Sequence, residues 1–432
     1  MDDSEEVTMF PQRESKNRFK KCATLQFLPT ASIIIIITVI FYLLFNRFSP
    51  ADDEKNELKT IVKYVEDCKQ GISYDQNSYT ETKLKPNISV IIPICNSNRF
   101  INTAYKSIVN QSFKKVQILF INDLPLYYLD NDLIEFLQEN DKRITLIKNK
   151  KNYGSFYSRN IDTLLAKGKY IQFLDVDDLL VNDILEKSFD ISEKNNLDVV
   201  QYPYISVFKD GTKKIRYLET TKGIIHQPEL RDIMCYEYGV LIERLHKYML
   251  WDKLIKKEVF LNALRFIGKE NIKVRYAFAD DTLSAYAVTN AAQSYTYLNE
   301  PGYYYYVIRP GSITAKKSSV DKSNLSVKYP FKIVKIVFDK AEDNTQSKRK
   351  ALCFFRHFNR VFWSKTSKFL LDNEAVEAMN SVVNTFVNSI YIDQENKEFA
   401  KNVRKEIFSK LGKVSDREED DKIPSVFDEY DL

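Results

Sequence analysis

The chain has 432 residues, with 64 Lys+Arg against 59 Asp+Glu, enough for one large domain or two ordinary ones around a sizeable core. A formal charge of +5 spread over that length excludes nucleic-acid binding by bulk electrostatics. Of the ten glycines none are spaced as G-x-G-x-x-G or G-x-x-x-x-G-K-[ST], which excludes a standard dinucleotide fingerprint and a P-loop. Five cysteines are too few for a disulfide scaffold, and three histidines without H-E-x-x-H or C-x-x-C leave no His/Cys metal site legible. A metal held by carboxylates stays open.

Residues 1–26 form a polar tail. Phe27–Phe45 then runs 19 residues without a charge, close to a bilayer's thickness, and predicts one membrane-spanning helix. Five Lys/Arg lie in the 15 residues before it and three in the 15 after, so the positive-inside rule predicts a cytosolic N-terminus and a luminal or exterior body. Residues 46–85 read as a charged stem. From Asn87 short apolar runs alternate with helical spacing. Strands are predicted at 88–93, 116–121, 144–147 and 170–174, and helices at 100–111, 129–138 and 158–166. That alternation of continuous apolar strands with helices predicts an α/β layer on a parallel sheet. Ligands of such sheets bind beyond the carboxyl ends of the strands. From residue 316 onward the pattern turns helical, with helices expected at 332–340, 351–369, 374–390 and 399–411 before an acidic tail.

The fourth strand runs into Asp175-Val-Asp177-Asp178. On extended chain, carboxylates two apart share a side, repel, and call for a cation. Oxygen ligands of this kind suit Mg²⁺ or Mn²⁺. A solvated turn or helix cap is the bland alternative for D-x-D alone. The second strand also ends in a carboxylate, Asn122-Asp123. Asn152-Tyr-Gly154 and Ser158-Arg159-Asn160 lie between strands three and four, and a second pair, Asp280-Asp281, follows about a hundred residues on. Arg159 can reach phosphate or a base edge near the same cleft, or form an exposed helix salt bridge.

Taken in order, ISVIIPICN (88–96), SIVNQSF (107–113), VQILFIND (116–123), NYGSFYSRN (152–160), GKYIQFLDVDD (168–178), WDKLIKKEVF (251–260), FADDTLSAY (278–286) and YYYYVIRPGSIT (303–314) resemble family-2 glycosyltransferases. The resemblance implies a GT-A fold over 86–315: an α/β domain on a Rossmann-like mixed sheet, here between a membrane helix and a helical C-terminal region. It implies that Asp123 pairs with the nucleotide base and that Arg159 sits at the nucleotide. Pro93, Asn96, Asn152 and Gly154 line the same nucleotide-sugar site. Asp177 is then the direct metal ligand, with Asp175 nearer the ribose or sugar and able to share the ion, Mn²⁺ or Mg²⁺. Asp281 is the general base, preceded by Asp280. Trp251 and Lys253 flank the acceptor, and Arg309 and Ser312 close over the diphosphate.

The implied activity is inverting transfer of a hexosyl or N-acetylhexosaminyl group from a UDP- or GDP-sugar to a glycan, glycoconjugate or protein-linked acceptor. With the anchor, it implies a single-pass type II protein of the secretory route, luminal in the Golgi, with no nucleic-acid partner. Two departures stand out. Asn122-Asp-Leu-Pro125 replaces the family's usual Asp-Asp-Gly-Ser, exchanging a flexible glycine for a rigid proline, and Cys95 stands where an aromatic is common. The altered 122–125 loop, with the long helical C-terminus as an interaction surface, motivates a rival reading, a catalytically inactive GT-A scaffold or glycan-binding protein. The tyrosine run 303–306 reads as packing on an edge strand rather than as a sugar platform.

Overall fold

The computed structural model describes residues 85–95, 98–123, 128–217, 223–227, 249–276, 279–307, 320–343 and 373–412, together with 230, 347–348, 351–352 and 355. The apolar segment Phe27–Phe45, the stem, Asn96, Arg309, Ser312 and the acidic tail lie outside the described residues.

Four strands carry the continuous apolar runs: β1 (Ile88–Ile94), β2 (Val116–Asn122), β3 (Ile144–Lys148) and β4 (Tyr170–Phe173). They pair in parallel in the order β3-β2-β1-β4, with Ile88 opposite both Val116 and Tyr170. Their side chains are buried on both faces, which is why the sequence shows no alternation there. Pro93 sits inside β1 opposite Ile121. It is tolerated because the ladder to β4 ends two residues earlier, at Ile91–Phe173, so no partner on that side needs an N–H at position 93. Gly168 lets the turn into β4 lie directly on β1. A Cβ there would stand 2.5 Å from the Ser89 backbone nitrogen.

The sheet does not stay parallel. β10 (Lys253–Lys256) runs antiparallel beside β4, followed by β6 (Val199–Gln201), β11 (Ser294–Tyr297) and β9 (Ile224–His226). These strands are only three or four residues long, too short for a periodicity signal. The result is one eight-stranded mixed sheet. Helices α1 (Asn98–Val109), α2 (Tyr128–Asn140) and α3 (Ser155–Ile161) connect the parallel strands. α3 starts three residues before the predicted helix, directly after Gly154 at φ +90°, and continues as a 3-10 turn over Asp162–Leu165.

A second sheet has the order β5 (Leu179–Leu180), β12 (Tyr303–Tyr306), β7 (Tyr204–Val207) and β8 (Lys213–Arg216). The tyrosine run therefore forms an interior strand, not an edge. Tyr303 is fully buried. Further helices are α4 (Ile184–Asn195), α5 (Lys257–Ile267), α6 (Lys269–Ile272) and α7 (Asp280–Ala291).

The C-terminal region holds α8 (Val320–Lys340), α9 (Asn373–Asn388) and α10 (Gln394–Gly412). α8 runs through Pro330 instead of starting after it. Phe338 of α8 meets Phe386 of α9 edge to face at 5.4 Å. Most of the expected helix at 351–369 lies outside the described residues. Among the described residues no helix is long and apolar enough to cross a membrane.

Candidate active site

Beyond Phe173 the chain leaves the sheet in a tight turn, closed by the Asp178 N–H donating to the Asp175 carbonyl at 2.9 Å. Asp175 and Asp177 are thus not on extended chain, and the same-side argument for the pair does not hold. The turn sorts the three carboxylates instead. Asp175 and Asp177 are half-buried. Asp178 turns inward to 2% exposure, where its Oδ1 accepts the Tyr306 N–H at 2.8 Å. Burial, with Asp175 and Asp177 beside it, pushes the Asp178 pKa well above the carboxylate range. The Asp175 N–H donates to the Tyr303 hydroxyl at 3.0 Å. Both ends of the turn are therefore pinned to β12.

Asp280 and Asp281 occupy the first turn of α7, where the helix dipole favours negative charge. The chain enters that helix through Ala279 in the left-handed region, φ 60°, a strained conformation for a residue with a Cβ. The two acidic motifs meet on one cation. Arg159, in the last turn of α3, donates Nη2 to Asp175 Oδ1 at 2.6 Å and Nη1 to Asp280 Oδ2 at 2.9 Å and Asp281 Oδ1 at 2.8 Å. Ser155, one turn earlier, adds its hydroxyl to Asp280 Oδ2 at 2.9 Å.

The Arg159 side chain is 11% exposed, and those of Asp175, Asp280 and Asp281 are 26%, 18% and 20% exposed, so the cluster is sheltered rather than an exposed helix salt bridge. Burial opposes the Arg159 charge, but three carboxylates outweigh it and hold its pKa well above the usual value. Asp281 goes the other way. Burial first, then Asp280 and Asp175, push it up to about 7, while Arg159 and Lys253 pull it back. A guanidinium thus offsets the charge of Asp175, Asp280 and Asp281.

Asp123 closes a second station. Its Oδ1 accepts Asn149 Nδ2 at 2.9 Å and the Tyr153 N–H at 3.0 Å, and its Oδ2 accepts the Gly154 N–H at 2.6 Å. The carboxylate thereby clamps the Asn152–Gly154 loop to the end of β2. Burial raises its pKa against these hydrogen bonds and against the nearby charge of Arg275. Asn152 lies in the same loop, with Oδ1 on the Gly154 N–H at 3.1 Å and Nδ2 3.8 Å from Cys95 Sγ. Pro93 is two residues from Cys95, on β1.

Trp251 and Lys253 lie inside. Trp251 is 3% exposed and stacks on Tyr303 at 4.5 Å and Tyr305 at 5.5 Å, with Tyr204 edge-on at 4.9 Å. Lys253 donates to Asp252 Oδ1 at 2.6 Å and the Met249 carbonyl at 2.5 Å. Burial lowers the Lys253 pKa and raises that of Asp252.

The structure thus brings Arg159, Asp175, Asp280 and Asp281 into one cluster, with Asp177 in the adjoining turn. It gathers Asp123, Asn152 and Gly154 at the ends of the neighbouring strands. Sequence reasoning passed over Ser155, Asp178 and Arg275. The third aspartate of DVDD was the visible signal for Asp178; Ser155 and Arg275 had none. Among the described residues no three His, Cys, Asp or Glu side chains converge as a ready-made metal cage.

Comparison with known proteins identifies the family and the fold. Residues 89–262 match the family described as glycosyl transferase family 2. An uncharacterized glycosyltransferase of Haemophilus influenzae is 31% identical over 183 residues, 42% of this chain and 72% of that protein. The minor teichoic acid biosynthesis protein GgaB of Bacillus subtilis is 27% identical over 247 residues, 56% of this chain but only 25% of that protein. Among solved structures, S. aureus TarS 1–349 in complex with UDP-GlcNAc superposes with a TM-score of 0.53 at 16% identity, covering 75% of this chain and 89% of that one. The chain belongs to glycosyltransferase family 2, and its fold is GT-A-like.

The expected cellular setting needs correction. These relatives are bacterial, and bacteria have no Golgi. On that ground the secretory-route protein with a Golgi-luminal catalytic domain is set aside; the expected span Phe27–Phe45 lies outside the described residues, among which no helix is long and apolar enough to cross a membrane.

Proposed function

We propose that this glycosyltransferase transfers a sugar from a UDP-sugar with inversion, with Asp281 as general base, to a hydroxyl of a cell-wall-type polymer. The observation that carries the reading is the meeting of Asp175, Asp280 and Asp281 on Arg159, across more than a hundred residues of sequence. That arrangement puts a carboxylate with a pKa of about 7 beside the turn that receives the donor. A base near the operating pH is both ionised and able to take a proton. Asp281 accepts the proton of the acceptor hydroxyl as that oxygen attacks the anomeric carbon. The bond from that carbon to the diphosphate oxygen breaks, and its electron pair leaves with the nucleoside diphosphate.

Asp123, fixed at the mouth of β2, presents its remaining lone pairs to the base of the nucleotide, and Gly154 allows close approach. For a divalent cation the donor set is oxygen only, Asp177 with the second oxygen of Asp175, which fits Mg²⁺ or Mn²⁺ completed by substrate phosphates and water. A cation held there would offset charge on the departing diphosphate. The UDP preference is supported by the UDP-GlcNAc complex of the TarS neighbour, and the polymer acceptor by the name of GgaB.

The test is calorimetry of UDP and GDP with and without Mn²⁺, followed by transfer across a nucleotide-sugar panel. Mn²⁺-dependent UDP binding and turnover of one UDP-sugar support the reading. Absence of binding to any nucleoside diphosphate would favour the inactive scaffold instead.

A further inference from the structure

The edge of the second sheet carries a cluster of cations that the proposed reaction does not use. The β7–β8 hairpin reads Phe208-Lys-Asp-Gly-Thr-Lys-Lys-Ile-Arg216, with Lys209, Lys213, Lys214 and Arg216 within eight residues. Lys209, Lys213 and Lys214 are exposed, and none of the four makes an ion pair among the described residues. Lys213 lies over the Tyr304 ring at 5.4 Å, and Arg216 Nε donates to the Ser206 hydroxyl at 3.2 Å. Ile215 and Tyr217 add exposed apolar surface, at 41% and 50%.

Register ties this edge to the active site. Lys213 pairs with Val207, and Val207 with Tyr306, whose N–H holds Asp178. Arg216 pairs with Tyr204, and Tyr204 with Tyr303, whose hydroxyl holds the Asp175 N–H. Each row crosses two strand spacings, roughly 10 Å, from the aspartate turn to a cation. That is the reach of one or two sugar or polyol units. On one side of the sheet the rows that end in Lys214 and Arg216 are filled behind them by Tyr204, Tyr303 and Tyr305 packed around Trp251, with Tyr204 and Tyr303 buried. On the other, Tyr304 leads to Lys213.

We infer that the β7–β8 edge is an acceptor track for a polyanionic polymer, one carrying phosphate or carboxylate groups at about the spacing of its sugar or polyol units. The inference deepens the transfer reading above and rests on it for the direction of the chain into the site. Charge complementarity selects the occupant. Four cations with one local aspartate, Asp210, favour a polyanion over a neutral glycan. A flat anionic membrane is the other surface such cations could meet, and lysines on an edge strand also simply block strand-to-strand aggregation.

The test uses the full chain without donor. Binding of soluble poly(glycerol phosphate), of neutral dextran of matched length, and of phosphatidylglycerol vesicles is measured for wild type, Lys213→Gln/Lys214→Gln, and Lys213→Arg/Lys214→Arg. The expected result is binding of the phosphate polymer that weakens about tenfold in the Gln pair, is retained in the Arg pair and falls with added salt, with UDP affinity unchanged. Equal polymer affinity in all three proteins overturns the inference, including the case where the Gln pair merely aggregates more. So does binding to vesicles but not to the polymer, or equal binding of dextran. Because no donor is present, loss of polymer binding can be scored even if no nucleotide-sugar is turned over, a result that would count against the transfer mechanism alone.

Discussion

Replacing Arg159 with Met removes one charge from the centre of three. The three contacts at 2.6 to 2.9 Å are sheltered, so the remaining carboxylates lose the cation they share and repel one another. Removing one partner of a buried ion pair costs about 3–5 kcal/mol. Protonation of Asp281 caps that cost, and it makes the loss pH-dependent. Without Arg159 to pull it back, the Asp281 pKa, already raised by burial to about 7, rises further, so the folded state holds its proton to higher pH. Stability then falls as pH rises, by about 1.4 kcal/mol per pH unit for each extra proton. Urea denaturation of Arg159→Met in chelator-containing buffer is therefore expected to show a loss of about 3–5 kcal/mol at pH 8 and a clearly smaller one at pH 5.5. Adding Asp281→Asn should recover part of the loss at pH 8 and little at pH 5.5. A loss below about 1 kcal/mol, the same at both pH values, would refute the idea that this guanidinium holds the two acidic motifs together.

Three further outcomes follow from the geometry. Asp281 must be ionised to act as base and titrates at about 7, so kcat/KM should rise with pH through that value and level off above it; a profile flat from pH 5 to 9 contradicts this. Gly154→Ala places a Cβ 3.0 Å from Arg275 Cγ at φ +90°, and should cost about 1–3 kcal/mol while weakening UDP binding through the displaced N–H on Asp123. Unchanged UDP affinity in calorimetry would detach that loop from the nucleotide. Gly168→Ala drives a methyl into the β1 backbone, 2.5 Å from Ser89 N. It should lower the thermal midpoint by an amount equivalent to about 1–3 kcal/mol, with UDP affinity per folded molecule unaltered.

The four parallel strands were legible because each is buried on both faces and so spells a solid apolar run. The acidic stations were legible because they follow those runs directly or come as a pair. What was not legible arises from contacts distant in sequence. Nothing around Arg159 announces that its partners lie 16, 121 and 122 residues away. The turn that separates Asp177 from Asp178 depends on β12, 128 residues on, and Tyr303–Tyr306 reads as an edge until β5 and β7 are placed on either side of it. Strands β6, β9, β10 and β11 are too short to leave a pattern, so the mixed half of the sheet left no periodicity to read. Trp251 and Lys253 were marked by motif alone, and burial puts both in the interior, where the tryptophan supports the tyrosine strand. The helix expected from 332 begins instead at Val320 and passes through Pro330.

The central claim is that Asp281 removes the acceptor proton. It is tested most directly by the single-turnover rate of sugar transfer from a UDP-sugar by Asp281→Asn beside wild type, with UDP affinity measured on the same preparations. The account predicts a fall of at least about a hundredfold in rate with UDP affinity within about twofold of wild type. Transfer at a rate within a few-fold of wild type, with UDP bound as tightly, would contradict it.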